Sequence, residues 1–401
     1  MTFSADFGNG TIGQGKVSAG ISDLDRILKE GGVQGVYYIT GGGANTFGYR
    51  FSQDDNSVVW SNTNESFGDV TQYPDMEDGV LYFSTKDTIT TTTFSTQASP
   101  EPGLYGLSYE DGSIELSYTP SSDKVYPAVA VKNGVAYMGV YDSDIGYAIR
   151  AYDVETESIV WTESVSRSAE FEKAVVNGSL YFGSDDNLYS YDIDTGNRNW
   201  KITFSDDPRG PMIIGGTLYL THEDGKFVSV DPSDGSVNWI SNNSYGSLPP
   251  AVYTNQKLIT SNGNDVCIAI NIDDGSEAWT YSVNRPTTIP AVHDGYVYFG
   301  TNDGDVFRLD TSDGTEDWKV SASGNAVFGS YYGSPYFIGI QNDFMYAGSN
   351  GNNVLYAFDI FDGSEIRSIE IDNTPTRGGV LIDDPQFSYH KAPGRFSDPG
   401  K

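Results

Sequence analysis

The sequence predicts an all-β fold: an eight-bladed β-propeller of four-stranded antiparallel blades. Three observations carry that expectation. A ten-residue acidic turn motif ending in Trp recurs along the chain. Its final slot falls at positions 60, 116, 161, 200, 239, 279, 318 and 367, so the units are 39 to 56 residues apart. All six tryptophans of the 401-residue chain occupy that slot. Units of about 40 residues holding four short strands have the size of propeller blades.

The strands of one unit follow in order. The first is a short apolar run, often led by proline, as in PPAVY from Pro249 and IPAV from Ile289. The second follows a two-residue turn and alternates: NGVAYMG, NGSLYFG, GGTLYLT and DGYVYFG. Asn-Gly, Asp-Gly and Gly-Gly pairs between alternating runs are hairpin signals. The third strand runs into the acidic turn and the fourth carries the Trp, as in YDIDTGNRNW ending at Trp200. VDPSDGSVNW, INIDDGSEAW and LDTSDGTEDW repeat the pattern, ending at Trp239, Trp279 and Trp318. In this turn the Asp side chain can bond backbone amides and the Gly supplies a positive φ. The copies are imperfect in places. Glu157 stands in the Gly slot before Trp161, and the Trp slot itself holds Leu116 and Arg367 in two units.

Composition excludes several classes. The formal net charge is −32, from 55 acidic and 23 basic side chains. A nucleic-acid binder needs cationic surface to displace counterions, so none is expected as a partner. The single cysteine, Cys267, forms no internal disulfide. No apolar run is long enough to cross a membrane as a helix. Aromatics make up 13% of the chain, which suits a folded protein. The acids sit in short turns, for example 185–186, 206–207 and 273–274. Concentrated salt screens such charge, with a Debye length of about 3 Å at 1 M, and the pattern resembles proteins of extreme halophiles.

The repeat resembles the pyrroloquinoline-quinone-type β-propeller family over roughly residues 30 to 385. In that family the Trp packs between blades while Asp and Gly shape the turn. The resemblance gives those roles to Asp192, Gly196 and Trp200, to Asp231, Gly235 and Trp239, and to Asp310, Gly314 and Trp318. Asn271 takes the Asp slot before Trp279, and the junctions at Leu116 and Arg367 are expected to be weaker or differently packed. The family holds quinoprotein dehydrogenases and cofactor-free scaffolds, including an outer-membrane assembly lipoprotein. Many of the dehydrogenases use a vicinal disulfide, a Trp platform and a Ca²⁺ held by Glu, Asn and Asp. Cys267 stands alone and every Trp is taken by the repeat, so no cofactor is expected.

Other motifs have plain readings. The acidic segments Asp192–Asp194 and Asn302–Asp303–Asp305 are the best Ca²⁺ candidates, but no EF-hand-type loop is present and turn formation explains them. His222, His293 and His390 share no spacing and read as surface turn residues. Cys267, in DVCIAIN, reads as a buried small hydrophobe. Tyr245, Tyr331 and Tyr332 stand among Ser, Gly and Asn, which suits recognition or blade-edge packing. GGGAN at 41–45 lacks the helix and Lys of a phosphate loop and reads as a hairpin turn. No catalytic, cofactor-binding or metal-ligating residue is assigned.

The expected layout is an N-terminal arm over 1–30, the propeller over 31–384 and an extended tail over 385–401. A Thr-rich insertion at 87–103 and an expanded loop at 323–341 are candidate contact elements. TRGGVLIDD, at 376–384, reads as a first-type strand that completes the first blade and closes the ring. No signal-peptide pattern is seen. The functional expectation is a non-catalytic recognition or scaffold module for protein or cell-surface glycan, within a larger assembly. Its concrete form is a surface component of a virion infecting a halophile, for decoration or host attachment. The alternative is an enzyme, quinoprotein-like or polysaccharide-degrading, marked by a carboxylate–His–Arg cluster in the central channel.

Overall fold

In the computed structural model, residues 35–42, 45–52, 58–62, 74–85, 103–120, 124–169, 173–262, 265–286, 288–324, 326, 328, 336–341, 343–349, 354–370 and 377–382 are described. The arm over 1–30, the tail over 385–401, His390, Tyr331 and Tyr332 lie outside these residues, as does all of 87–103 except Gly103.

The described chain is built of strands. β1 (Gly35–Gly42), β2 (Asn45–Ser52) and β3 (Val58–Asn62) are followed by β4 (Asp75–Glu77), β5 (Val80–Ser84), β6 (Leu104–Ser108) and β7 (Ile114–Tyr118). The next blade is β8 (Lys124–Lys132), β9 (Val135–Asp142), β10 (Gly146–Asp153) and β11 (Ser158–Ser164). Then come β12 (Lys173–Val176), β13 (Ser179–Ser184), β14 (Asn187–Asp192) and β15 (Arg198–Thr203). β16 (Pro208–Ile214), β17 (Thr217–His222), β18 (Phe227–Val230) and β19 (Val237–Ile240) follow. β20 (Val252–Thr254), β21 (Lys257–Asn262), β22 (Val266–Asn271) and β23 (Glu277–Ser282) form another blade. The remainder is β24 (Thr288–Ile289), β25 (Ala291–His293), β26 (Tyr296–Gly300), β27 (Asp305–Asp310), β28 (Glu316–Ser321), β29 (Tyr336–Gln341), β30 (Phe344–Ser349), β31 (Val354–Asp359), β32 (Glu365–Glu370) and β33 (Arg377–Ile382).

The expectation of eight four-stranded antiparallel blades is corrected: seven sheets have that form, not eight. The last repeat unit gives a five-stranded mixed sheet, β24-β29-β30-β31-β32. There β24 runs parallel to β29, with Thr288 opposite Tyr336 and Ile289 opposite Phe337. The reason is Pro290, which separates β24 from β25. Proline offers no N–H, so the ladder to β26 breaks there. The residues before it bond the neighbouring sheet instead, while the Thr288 hydroxyl receives the Gly300 amide at 2.8 Å. Tyr336–Gln341, within the segment read as an expanded loop, form the strand β29.

Ring closure follows the sequence reading. β33 pairs antiparallel with β1, with Val36 opposite Ile382 and Gly41 opposite Arg377. The GGGAN segment is the β1–β2 hairpin, with Gly42 opposite Asn45.

In the blades whose middle strands have described burial, those strands are largely buried and the fourth is largely exposed. β14 is buried at five of its six positions, whereas β15 has no buried position. Core clusters join consecutive blades; one joins Tyr137 and Ile149 to Leu180, Phe182 and Tyr191.

The Trp slots lock neighbours together by the same bond throughout. Each indole N–H donates to a backbone carbonyl one blade on. The pairs are Trp60 with Tyr109, Trp161 with Ile193 and Trp200 with Pro232. They continue with Trp239 to Ile272, Trp279 to Thr311 and Trp318 to Ile360. Each indole face also covers the turn glycine of that next unit. A methyl group at Gly235 would lie 2.9 Å from Trp200, and Gly235 has φ +80°.

Candidate functional site

Strand order fixes what each end of a blade presents. Turns between first and second strands, and between third and fourth, share one end. Turns between second and third strands share the other end with the crossovers to the next blade. The Asp-x-x-Asp-Gly turns belong to the first end. Their leading or central Asp accepts bonds from its own turn, as Asp192 does from the Thr195 amide at 2.8 Å and hydroxyl at 2.7 Å. Those Thr195 bonds hold the Asp192 carboxyl below the ordinary carboxylate range. Within the Asp192–Asp194 candidate, Asp192 closes its own turn.

The second end carries mixed charge, concentrated where the β12–β15 and β16–β19 blades meet. The β13–β14 turn places Asp185 and Asp186 there, and the crossover to β16 places Asp206 and Asp207. The β17–β18 turn adds Glu223, Asp224 and Lys226. Carboxylate oxygens of Asp185, Asp186 and Asp207 lie within 4.8 Å of one another, as do those of Asp206, Asp207 and Glu223. Burial, and then the Glu223 charge, raise the Asp207 carboxyl above its usual pKa. Arg209 crosses this group, with Nη2 2.9 Å from Glu223 and Nη1 3.0 Å from the Ser247 hydroxyl. Lys226 meets Asp224 at 3.0 Å and Arg167 meets Asp185 at 3.6 Å. The arrangement is a ladder of carboxylates partly answered by cations, and it can receive further positive charge.

His222 corrects the reading of the histidines as surface turn residues. It ends β17 and its side chain is 3% exposed. Phe204 from the preceding blade's crossover packs edge-on at 4.8 Å. Nδ1 lies 3.3 Å from Asp224, and Nε2 is buried without a hydrogen-bond partner. Burial lowers its pKa, against the opposing pull of Asp224. The alternation of β17 gave the strand, but no local signal in THEDG marks the neighbour's aromatic ring. His293 is largely buried in β25, its side chain 11% exposed, with Nε2 3.5 Å from Asp294. It lies in a different blade from His222, on a first strand rather than a second.

The other candidates are also dispersed. Cys267 is fully buried in β22, and burial pushes its thiol pKa up. Asp303 bonds Asn284, and Asp305 meets Lys319 at 2.7 Å and the Ser321 hydroxyl at 2.5 Å. The Tyr245 hydroxyl donates to Glu277 at 2.6 Å, tying a crossover to the next outer strand. Sequence reasoning missed a pair of buried arginines. Arg150 is 2% exposed and reaches Asp142 at 2.6 Å, the Tyr118 hydroxyl at 2.8 Å and Thr162 at 3.0 Å. Arg308 stacks 3.5 Å from the Tyr296 ring centroid and donates to the Ile360 carbonyl at 2.9 Å. Among the described residues no helix is long and apolar enough to cross a membrane.

Comparison with known proteins gives a consistent result. Residues 22–241 and 241–384 match the family described as outer membrane protein assembly factor BamB. The BamB of Yersinia pestis is 23% identical over 66% of this chain and 57% of its own length. The first two curated relatives are covered over 57% and 60% of their length. The crystal structure of BamB from Moraxella catarrhalis superposes with a TM-score of 0.57 at 16% identity, covering 78% of this chain and 90% of that one. The computationally designed Ika8 protein superposes at 0.63 with 12% identity, covering 80% and 94%.

Proposed function

Because the chain belongs to the outer membrane protein assembly factor BamB family, we propose that it works as a non-catalytic scaffold that holds a protein partner within an assembly. The observation that carries this reading is the use made of the reactive side chains. Cys267 is sealed in a strand, the turn aspartates bind their own amides, and His222 and His293 sit on separate blades. What the second end offers instead is a fixed, mostly acidic surface suited to a cationic protein face.

The comparisons add nothing to the virion, host-attachment or glycan forms of this reading, so the proposal is kept to the scaffold form with a protein partner. The quinoprotein alternative has a direct test. Adding pyrroloquinoline quinone and Ca²⁺ to the purified protein should give no saturable binding and no dye-linked dehydrogenase activity. Stoichiometric quinone binding would replace the scaffold reading with the enzymatic one.

A further inference from the structure

The outer strands of the blades are sheet edges, and their guarding differs. A free edge presents unpaired backbone N–H and C=O groups, and proteins protect it with charged side chains. β15 carries Arg198 and Lys201, and β28 carries Glu316, Asp317 and Lys319. β32 carries Glu365, Arg367 and Glu370. Glu277 of β23 is further pinned by Tyr245 and Asn243, and Glu365 by Ser323.

β3, β7, β11 and β19 depart from that pattern: β3 and β19 carry no charged residue, β7 and β11 one each, and Val58, Val59, Val237 and Ile240 are exposed as Ile159 and Val160 are. Length and the surrounding carboxylates set β11 apart. At seven residues it is the longest of these outer strands, and it ends the sheet β11-β10-β9-β8. A bulge between its pairings with Ala151 and Tyr152 leaves Val160 out of register. Ser158, Ile159 and Val160 are consecutive exposed positions, with Ile159 49% and Val160 46% exposed. The strand carries one charge, Glu163. Glu155, Glu157 and Glu163 are exposed around the apolar pair, and no Lys or Arg occurs between Arg150 and Arg167. Beneath it, buried Arg150 clamps the blade by donating to Thr162 of β11, so the edge is held in place.

We infer that β11 is a docking edge for an extended polypeptide strand of the partner, with apolar residues over Ile159 and Val160 and Lys or Arg at its flanks. Strand addition supplies the backbone bonds that the edge lacks, and side-chain alternation supplies specificity. The carboxylates select cationic flanks by charge complementarity. The inference rests on the scaffold reading and names one of its contact surfaces.

The test uses the full chain and three peptides. One is a seven-residue run of alternating Val and Thr with Lys at each end. The second replaces the Lys residues by Glu, and the third is the Lys-ended peptide N-methylated at alternate residues. The Lys-ended peptide should bind saturably, and both twins should bind at least about tenfold more weakly. I159K/V160K should weaken it by about the same factor while leaving Tm unchanged, since both side chains are exposed. E155Q/E157Q/E163Q should narrow the gap between Lys-ended and Glu-ended peptides. Equal binding of all three peptides, or undiminished binding to I159K/V160K, overturns the docking edge. So does a lack of saturable binding at about 1 mM. Any of these results leaves the scaffold reading standing if a stable native complex is still isolated.

Discussion

Trp161 leaves no room for a side chain at Gly196. A methyl group there would lie 2.8 Å from the indole Cγ and Cδ2, and the indole N–H bonds the carbonyl of neighbouring Ile193 at 2.8 Å. The same partnership links Trp60 to Gly112, Trp200 to Gly235 and Trp279 to Gly314. It explains where the repeat is allowed to fail. Glu157, a non-glycine residue at φ +52°, stands in the slot that follows Leu116 around the ring, where no indole covers the turn. Arg367, the other slot without Trp, is followed by Asn56, again not glycine.

This coupling is testable as a double-mutant cycle. Leu116→Trp alone should destabilise the fold, because Glu157 occupies the space the indole needs. Glu157→Gly alone should change stability by under about 1 kcal/mol, as relief of left-handed strain is offset by added chain entropy. The two together should be more stable than their sum by about 1 kcal/mol or more, measured by urea unfolding. Additive effects would mean that the Trp and Gly slots are independent. Gly235→Ala should cost about 1–2 kcal/mol from backbone strain alone.

Tyr298 carries a buried hydroxyl that faces a different residue type from its equivalents in two other blades. Tyr181 faces Ser190 across its strands and Tyr219 faces Ser229, so a serine stands opposite each phenol-bearing residue. Tyr298 faces Arg308 instead, whose guanidinium turns to the Ile360 carbonyl. The Tyr298 hydroxyl is left without a partner. Tyr298→Phe should therefore be neutral or stabilising by up to about 1 kcal/mol, and Tyr181→Phe should cost about 1 kcal/mol. A matched loss in both variants, by chemical denaturation, would contradict the assignment.

His222 sets a pH dependence. Burial depresses its folded pKa below the ordinary value of 6.5. The unfolded chain therefore binds a proton first as pH falls. The stability that His222 contributes is present above pH 6.5 and is lost as pH falls through the depressed folded value. His222→Gln should flatten the decline of the urea midpoint just below pH 6.5. An unchanged slope would show that other groups cause it. Further down, the turn aspartates act with the same sign. Asp192, Asp234, Asp274 and Asp313 are held low by bonds from Ser or Thr. Their contribution is lost as pH falls below about 4. Asp207, whose pKa is raised, works the other way and favours the folded state at low pH.

Net charge sets a salt dependence. At −32, self-repulsion opposes the folded chain, and added salt screens it. Tm should rise steadily as KCl increases from about 0.1 M to about 3 M, well beyond one Debye length of screening. A flat or falling Tm would mean that repulsion among the unpaired carboxylates does not limit stability.

The sequence showed the strands because period-two alternation and turn pairs are local signals, but the Trp spacing gave eight blades of one form where seven four-stranded antiparallel sheets form. Closure by β33 was legible for the same reason, since a first-type strand beyond the last Trp slot has one place to go. The mixed sheet was not legible. Pro290 reads as a leader of the strand IPAV, and only the neighbouring β29 shows that Thr288 and Ile289 pair elsewhere. The second-end cluster was hidden too. Asp185, Asp207 and Glu223 belong to different turns, and their proximity is set by how two blades meet. The exposure of Ile159 and Val160 was obscured by their resemblance to a core pair. The register shift falls at the residue before the Trp slot, and it recurs in the other fourth strands, where the repeat fixes its place but not the side chain it exposes.

The most direct test of the scaffold claim is the mass and composition of the native particle, isolated from its own cells at native salt and resolved by size. A fixed protein partner at constant stoichiometry, retained through repeated sizing, is the predicted result. A particle with the mass of a single chain and no partner, at the same salt, would contradict it.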